Sequence, residues 1–202
     1  MIHPLSRPSG SSRLAAASHA NDGLQGEDAR LILDGRTLVE SIDLRLREIT
    51  RRDAERLYLW RMDPASRQMF RSTDEIPFED HLQFLDAYFD SANTDRWYVA
   101  EVEGQAVGAL ALYQFSDCGR ECECGRLVID PARRRSGYAR GALRALMAEA
   151  KTLGVLRIRA EVLEDNPASL RAFTANGFKP CGRGRWDGRP FVMLTLTTKE
   201  NE

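Results

Sequence analysis

The sequence predicts a mixed α/β domain, and three observations support this prediction. The chain has 202 residues, of which 43% are hydrophobic and 29% charged, as expected for one ordinary globular domain. Stretches that alternate with a period of two, typical of strands, are interleaved with stretches of helical periodicity. An apolar strand at 127–129 runs through a basic, glycine-containing loop into the clearest amphipathic helix of the chain.

Residues 1–43 are predicted to be a tail that precedes the domain. Residues 1–29 are rich in Ser, Ala, Gly, Arg and Asp and contain few apolar residues, which favours disorder. Residues 30–43 could form a small hairpin on the Asp34-Gly35 turn. We therefore expect the folded domain to occupy residues 44–202.

The first half of the domain is predicted to contain one strand, two helices and a hairpin. Residues 44–49 alternate like a strand, and Thr50-x-x-Asp53 resembles a capping box that starts a helix ending near Arg61. Pro77 opens the second helix. One side of that helix carries His81, Leu82, Leu85, Tyr88 and Phe89. Residues 97–102 and 106–115 then form two paired strands.

The second half is predicted to contain a strand, a long helix, a strand, a short helix and two final strands. Residues 121–129 form the first strand. The long helix that follows has one apolar stripe, formed by Ala139, Ala142, Leu143, Leu146, Met147, Ala150 and Leu153. Gly154 ends this helix, and residues 155–163 alternate like a strand. Asn166-Pro167 starts the short helix, and two strands flank the Asp187-Gly188 turn.

Charge and cysteine spacing exclude several classes of function. The net charge of −1 implies no general attraction to nucleic acid. No apolar run reaches transmembrane length and no signal-peptide core is present, so we expect a cytoplasmic protein without membrane attachment. Cys118, Cys122 and Cys124 lack a usual zinc spacing and have no histidine nearby, so we predict reduced thiols and no metal.

The loop between Asp130 and Leu143 carries the most informative motif, whose core is Arg134-x-x-Gly137-x-Ala139. A loop that enters a helix exposes several backbone N–H groups beside the positive end of the helix dipole, which favours a phosphate. Small residues keep the backbone accessible to a diphosphate. Arginines at 133, 134, 135 and 140 add positive charge. A basic turn that caps a surface helix would also explain this motif taken alone.

This motif resembles the acetyl-CoA pyrophosphate loop of the GNAT family of N-acetyltransferases. Residues 164–178 resemble the second family signature, and the matching positions are Asn166, Ser169, Phe173 and Gly177-Phe178. The resemblance covers about residues 44–197. It implies a single GNAT domain with a central, mostly antiparallel mixed sheet that is splayed at two parallel strands, flanked by helices, and holds acetyl-CoA in the gap.

The resemblance also implies which residues bind acetyl-CoA. The backbone of Leu127 and Ile129 would pair with the pantetheine amides, residues 134–139 would hold the pyrophosphate, and Asn166 would contact the pantetheine arm. The expected cofactor-binding residues are Leu127, Val128, Ile129, Arg134, Arg135, Ser136, Gly137, Tyr138, Ala139, Arg140, Asn166, Ser169 and Phe173. Asn166 would also serve as a helix N-cap in any protein.

Two catalytic positions follow from the same resemblance. Glu123 lies where the family often has the general base that takes a proton from the acceptor amine, with Glu121 as the alternative. Phe173 stands where many members have the tyrosine that protonates the leaving thiolate. Because phenylalanine cannot donate a proton, three alternatives are open. The thiolate leaves unaided or takes a proton through water, Tyr113 or Tyr138 supplies the proton, or the chain is a weak catalyst.

The segment from Trp60 to Leu85 resembles the branch that contains the pseudaminic acid biosynthesis N-acetyltransferase, although Met62 and Phe70 replace its Asn and Tyr. The expected acceptor-binding residues are Trp60, Arg61, Met69, Phe70 and His81. The first acceptor implied is an amino sugar of a sugar nucleotide, bound by a monomer or a homodimer. The alternatives are a protein N-terminal amine, as in the ribosomal-protein branch, a small amine, and a catalytically silent module that binds CoA.

Overall fold

A seven-stranded mixed sheet organises the computed structural model, which describes residues 43–90 and 94–198. The strands are β1 (Leu44–Glu48), β2 (Arg96–Val102), β3 (Gln105–Tyr113), β4 (Glu121–Ile129), β5 (Arg157–Leu163), β6 (Lys179–Trp186) and β7 (Arg189–Thr197). Their order across the sheet is β1-β2-β3-β4-β5-β7-β6. The tail predicted for residues 1–43, with its hairpin at 30–43, lies outside the described residues except for Asp43.

Five α-helices accompany the sheet in the described part of the chain. They are α1 (Ala54–Met62), α2 (Pro64–Arg67), α3 (Phe78–Asp90), α4 (Tyr138–Thr152) and α5 (Pro167–Thr174). The sequence did not predict the four-residue helix α2. It begins because Asp63 accepts a hydrogen bond from the backbone N–H of Ser66 at 2.9 Å and Pro64 occupies the first helical position.

A buried carboxylate joins β1 to the start of α1. Asp53 closes the predicted capping box with Thr50, whose N–H donates to it at 2.9 Å. Arg47 on β1 donates two further hydrogen bonds to the same carboxylate, at 2.7 and 2.8 Å. Burial alone would raise the pKa of Asp53, but the hydrogen bonds from Arg47 and Thr50 outweigh it and lower the pKa to about 2.

Each face of the sheet is covered by its own hydrophobic cluster. On one face α4 and α5 pack through Leu143, Leu146 and Phe173, as the predicted apolar stripe requires. On the other face α1 and α3 pack through Leu57 and Leu85. Leu153 was predicted to belong to the stripe, but it is 40% exposed because the helix ends there and the chain turns at Gly154. The prediction was wrong at this residue.

Strands β4 and β5 separate partway along their length, and this separation opens the sheet. They pair in parallel only from Glu121 to Glu123, opposite Arg157 to Arg159. Beyond this point β4 stays with β3 while β5 stays with β7, and every other strand pair is antiparallel. The mixed sheet with two splayed parallel strands is therefore confirmed.

Candidate active site

A cleft of about 930 Å³ lies beyond the point where β4 and β5 separate. Its wall includes the end of β4, the basic loop, the starts of α4 and α5, and part of α2. The residues predicted from sequence that line it are Leu127, Val128, Ile129, Arg134, Arg135, Gly137, Tyr138, Ala139, Arg140, Asn166, Ser169, Met69 and Phe70. Ser136 is exposed and is not among them.

The basic loop presents the N-terminus of α4 to this cleft. Asp130 starts a tight turn by accepting a hydrogen bond from the N–H of Ala132 at 3.0 Å. Arg135 and Gly137 both adopt left-handed backbone angles, with φ of 67° and 77°. Gly137 is the N-cap of α4 and, within the described residues, no side chain caps this helix. Its first N–H groups therefore remain available to an anion, as a diphosphate requires.

The arginines of the loop all line the cleft, but Arg134 differs from the others because it is paired with Asp63. Arg133, Arg135 and Arg140 line the cleft. Arg134 also lines it, but its guanidinium forms an ion pair with Asp63 and donates to the hydroxyl of Ser66 at 2.6 Å. The sequence predicted that Arg134 would add positive charge beside a phosphate, and it did not predict the ion pair with Asp63.

Two residues of the second motif occupy different environments. Asn166 caps α5, because its Oδ1 accepts from the N–H of Ser169 at 3.0 Å. Phe173 is only 2% exposed, and its ring packs edge-on against Phe178 with centroids 5.0 Å apart. Phe173 was expected both to line the cofactor site and to occupy the position of the acid. Its ring instead belongs to the core, where helix α5 packs on the sheet.

Glu123 lies at the last parallel rung between β4 and β5, opposite Arg159 on one side and Tyr113 on the other. Burial raises the pKa of its carboxyl, the nearby charge of Glu161 raises it further, and Arg159 and Arg71 oppose these effects. The alternative base, Glu121, forms an ion pair with Arg157 at 3.1 Å.

Two of the expected acceptor-binding residues are parts of the core. Trp60 is 6% exposed and His81 is 5% exposed, because the facing sides of α1 and α3 enclose them. The ring Nε2 of His81 lies 2.9 Å from the carbonyl oxygen of Ala54, and burial lowers the pKa of this imidazole. The prediction that Trp60 and His81 form an acceptor wall was therefore wrong.

The remaining expected residues lie around the segment that joins α2 to α3. The guanidinium of Arg61 lies 4.2 Å from the centroid of the Phe70 ring and donates to the carbonyl of Ser72 at 2.6 Å. Arg61 thus holds the segment rather than facing an open surface. Met69 and Phe70 do line the cleft.

Sequence reasoning missed an open surface formed by Glu123, Arg159, Glu161 and Trp186, which we call the acceptor face after the role that we propose for it below. Alternation along β5 turns Arg159 and Glu161 away from the core that covers its other side. The indole Nε1 of Trp186 donates to Glu161 at 3.0 Å. Arg71 extends over this surface, 5.8 Å from the Trp186 ring centroid. The alternation of β5 was visible in the sequence, but the contact with Trp186 was not.

Two further features bear on the class of protein. Among residues 43–90 and 94–198, no helix has the length and apolar character needed to cross a membrane. The same residues contain no group of three or more His, Cys, Asp or Glu side chains arranged to hold a metal ion. All four cysteines have free thiols, and Cys122 and Cys124 are buried in the core.

A family model described as "Acetyltransferase (GNAT) domain" matches residues 43–179. The chain belongs to the GNAT family. Membership makes this GNAT enzyme an N-acetyltransferase that uses acetyl-CoA as its acetyl donor. The cleft fits that donor, since it combines an uncapped helix N-terminus with a strand edge freed by the separation of β4 from β5.

Similar proteins agree with this membership. The GNAT enzyme is 29% identical over 111 residues to the uncharacterized N-acetyltransferase YfmK of Bacillus subtilis (strain 168), covering 54% of this chain and 73% of YfmK. Its fold matches a spermidine N-acetyltransferase from Vibrio cholerae in complex with CoA and spermine, with a TM-score of 0.68, 20% identity, and coverage of 76% and 95%. It also matches the aminoglycoside acetyltransferase AAC(6')-Ib in complex with coenzyme A, with a TM-score of 0.67, 17% identity, and coverage of 77% and 95%.

Proposed function

We propose that this enzyme transfers the acetyl group of acetyl-CoA to a primary amine of an amino sugar, with the sugar of a sugar nucleotide as the first acceptor class. Glu123 is the general base in this proposal. The observation that carries it is the position of Glu123, which lies at the last rung where β4 pairs with β5, ahead of the part of β4 that lines the cleft. A carboxylate at this point can reach an amine that approaches a donor held in the cleft.

The donor side of the proposal rests on the loop and on β4. The N-terminus of α4 and the side chains of Arg133, Arg135 and Arg140 would hold the diphosphate. The backbone of Leu127 and Ile129 lies in the part of β4 that has no β5 partner, where it would pair with the pantetheine amides. Asn166 would contact the pantetheine arm while it caps α5.

Glu123 would act on the acceptor by removing a proton from its ammonium group, because only the neutral amine has the lone pair that attacks a thioester. The raised pKa of Glu123 suits this role, since a stronger base accepts the proton more readily. Phe173 supplies no acid, so we propose that the leaving thiolate takes its proton from water. A CoA thiolate is a weak enough base to leave in this way.

The acceptor side of the proposal rests on Trp186 and Arg71. The Trp186 ring lies stacked on Phe191, with centroids 4.8 Å apart, so its orientation is fixed. An indole at such a surface can pack against a sugar or base ring, and a neighbouring arginine can pair with a phosphate. These two side chains support an acceptor that joins an amino sugar to a phosphate.

A second candidate is a small polyamine or a sugar with several amines. The charge of Glu161 raises the pKa of Glu123 across the acceptor face, and two carboxylates would attract an acceptor with more than one ammonium group. The fold neighbours named above include enzymes whose names refer to spermidine and to aminoglycosides. The carboxylate pair is the observation that favours this candidate.

The experiment that tests the proposal measures thiol release from acetyl-CoA with a panel of acceptors. The panel contains UDP- and dTDP-linked amino sugars, spermidine, an aminoglycoside and peptides with free N-termini. We expect turnover with a nucleotide-linked amino sugar. Turnover restricted to spermidine or the aminoglycoside would favour the second candidate, and turnover only with peptides would indicate an N-terminal acetyltransferase.

Glu123→Gln provides the matched variant for the same panel, because it keeps the size of the side chain and removes its basicity. We expect kcat to fall by about 10²- to 10⁴-fold, the usual contribution of a general base, while the affinity for acetyl-CoA is kept. Tight binding of acetyl-CoA by the unmodified enzyme without turnover of any acceptor would instead favour a silent CoA-binding module.

A further inference from the structure

Arg134 occupies the first position of the phosphate-loop motif, yet its guanidinium contacts protein groups. Its Nη2 forms an ion pair with Asp63 and donates to the hydroxyl of Ser66 at 2.6 Å. The two contacts join the loop to the start of α2, which lies 71 residues earlier in the sequence at Asp63. The charge of Arg134 is therefore balanced by a carboxylate before any ligand binds.

The Asp63 carboxylate, which pairs with Arg134, also caps a helix. Asp63 caps α2 through the N–H of Ser66, so one carboxylate fixes both the helix and the loop. Ser66 completes a closed arrangement, because its hydroxyl contacts Arg134 while its backbone contacts Asp63. We call these three residues the clasp.

The segment that the clasp holds is also fixed at its other end. Arg189 on β7 donates to the carbonyl of Phe70 at 3.0 Å and to the carbonyl of Gln68. Residues of this segment, among them Ser66, Met69 and Phe70, line the cleft together with the loop. Arg134 thus joins this wall of the cleft to the loop, and Arg189 joins it to β7.

We infer that Arg134 is a positioning residue, which holds the loop and α2 in the arrangement that binds acetyl-CoA, and is not itself a ligand of the diphosphate. This inference rests on the proposed use of the cleft as the donor site. The other arginines that line the cleft are Arg133, Arg135, Arg140 and Arg171, of which Arg133 also lies 3.8 Å from Asp130. Because the clasp orders the loop and one wall at once, its loss increases the conformational freedom that donor binding must remove.

The deciding experiment measures the affinity of the full chain for acetyl-CoA after Asp63→Asn. Asparagine is as good an N-cap as aspartate, so α2 keeps its cap while the ion pair is lost. For a clasp, the affinity should fall by about five- to tenfold, in proportion to the loss of charge-assisted hydrogen bonds that are partly exposed. If Arg134 instead binds the diphosphate, Asp63→Asn should raise the affinity for acetyl-CoA, because it frees the Arg134 guanidinium and removes a negative charge near the diphosphate.

Arg134→Ala should weaken binding as Asp63→Asn does, and the double variant should be no weaker than either single one, because both changes break the same contact. Arg144→Ala is the matched control, since Arg144 is exposed on α4 and outside the cleft. Unchanged or tighter binding by Asp63→Asn, with a normal melting temperature, would overturn the clasp. Failure of the unmodified enzyme to bind acetyl-CoA would overturn the donor site itself and is therefore a distinguishable outcome.

Discussion

The hydroxyl group of Tyr113 lies across Gly125, so close that a Cβ on residue 125 would come within 2.5 Å of it. Two ring atoms of Tyr113 would also lie at 3.1 and 3.2 Å. The next residue, Arg126, has a left-handed φ of 51°, and its guanidinium lies 4.9 Å from the centroid of the same ring. Tyr113 therefore packs against the part of β4 that turns away from β5.

Gly125→Ala should lower the stability of the protein by about 1–3 kcal/mol, the usual cost of forcing an atom into a packed site. Urea denaturation monitored by tryptophan fluorescence measures this change. The closest contact is absent in a Tyr113→Phe background. There Gly125→Ala should lower the free energy of unfolding by at least about 0.5 kcal/mol less than it does with Tyr113 present. Strictly additive effects of the two substitutions would show that the ring and the glycine do not interact.

Glu161→Gln should move the acidic limb of the pH–rate profile to lower pH. In the proposed mechanism Glu123 must be ionised to act as a base, so activity should fall as the pH drops through the pKa of Glu123. Burial and the charge of Glu161 raise this pKa, and removing the charge leaves only burial to raise it. The measurement is kcat/KM as a function of pH for both proteins.

Arg159→Gln provides the opposite control for this prediction. Arg159 lowers the pKa of Glu123, so its removal should shift the acidic limb to higher pH. Shifts of both variants in the same direction would contradict an electrostatic origin and would also count against Glu123 as the titrating group.

Asp53→Asn should destabilise the fold at neutral pH by about 2 kcal/mol, the value of a pKa lowered from near 4 to about 2. The folded pKa lies below the unfolded one, so this stability is present above about pH 4 and is lost as the pH falls toward 2. Urea denaturation should therefore show a smaller difference in the free energy of unfolding between Asp53→Asn and the unmodified protein at pH 3 than at pH 7. Asp86→Asn is the control, since its exposed ion pair with Arg51 should contribute little.

Phe173→Tyr should lower stability by about 1–3 kcal/mol and leave kcat unchanged, because a hydroxyl added to this buried ring has no evident partner. Thermal denaturation and steady-state rates with the best acceptor provide the two measurements. A tenfold or greater gain in kcat would show instead that residue 173 reaches the reacting groups and that a missing acid limits the rate.

Local signals made most of the fold predictable. The strand at 121–129 agrees with β4 residue by residue, and Asn166-Pro167 starts α5 as expected, because alternation and capping depend on a few neighbouring residues. Helix α2 escaped prediction since four residues give no periodicity. Leu153 was misplaced because a periodic stripe does not show where the helix loses its packing partner.

The loop and helix that line the cleft were predictable, whereas the surface around Trp186 was not. The loop and α4 are continuous in sequence, so the motif alone located them. Trp60 and His81 lie on different helices, α1 and α3, and only packing decides that these two helices enclose both side chains. Trp186 meets Glu161 across 25 residues and through β7, a relationship that no local pattern contains.

The separation of β4 from β5 also divides the molecule into parts that can change independently. The cleft is formed by one continuous stretch, from β4 through the start of α4, together with parts of α2 and α5. The acceptor face is formed by side chains of β4, β5 and the β6–β7 hairpin, with Arg71 beside it. If the acceptor binds as proposed, substitutions at Arg71, Glu161 or Trp186 should alter which amine is accepted while the affinity for acetyl-CoA is kept. A library confined to these three positions is the smallest in which to select new acceptors for this scaffold.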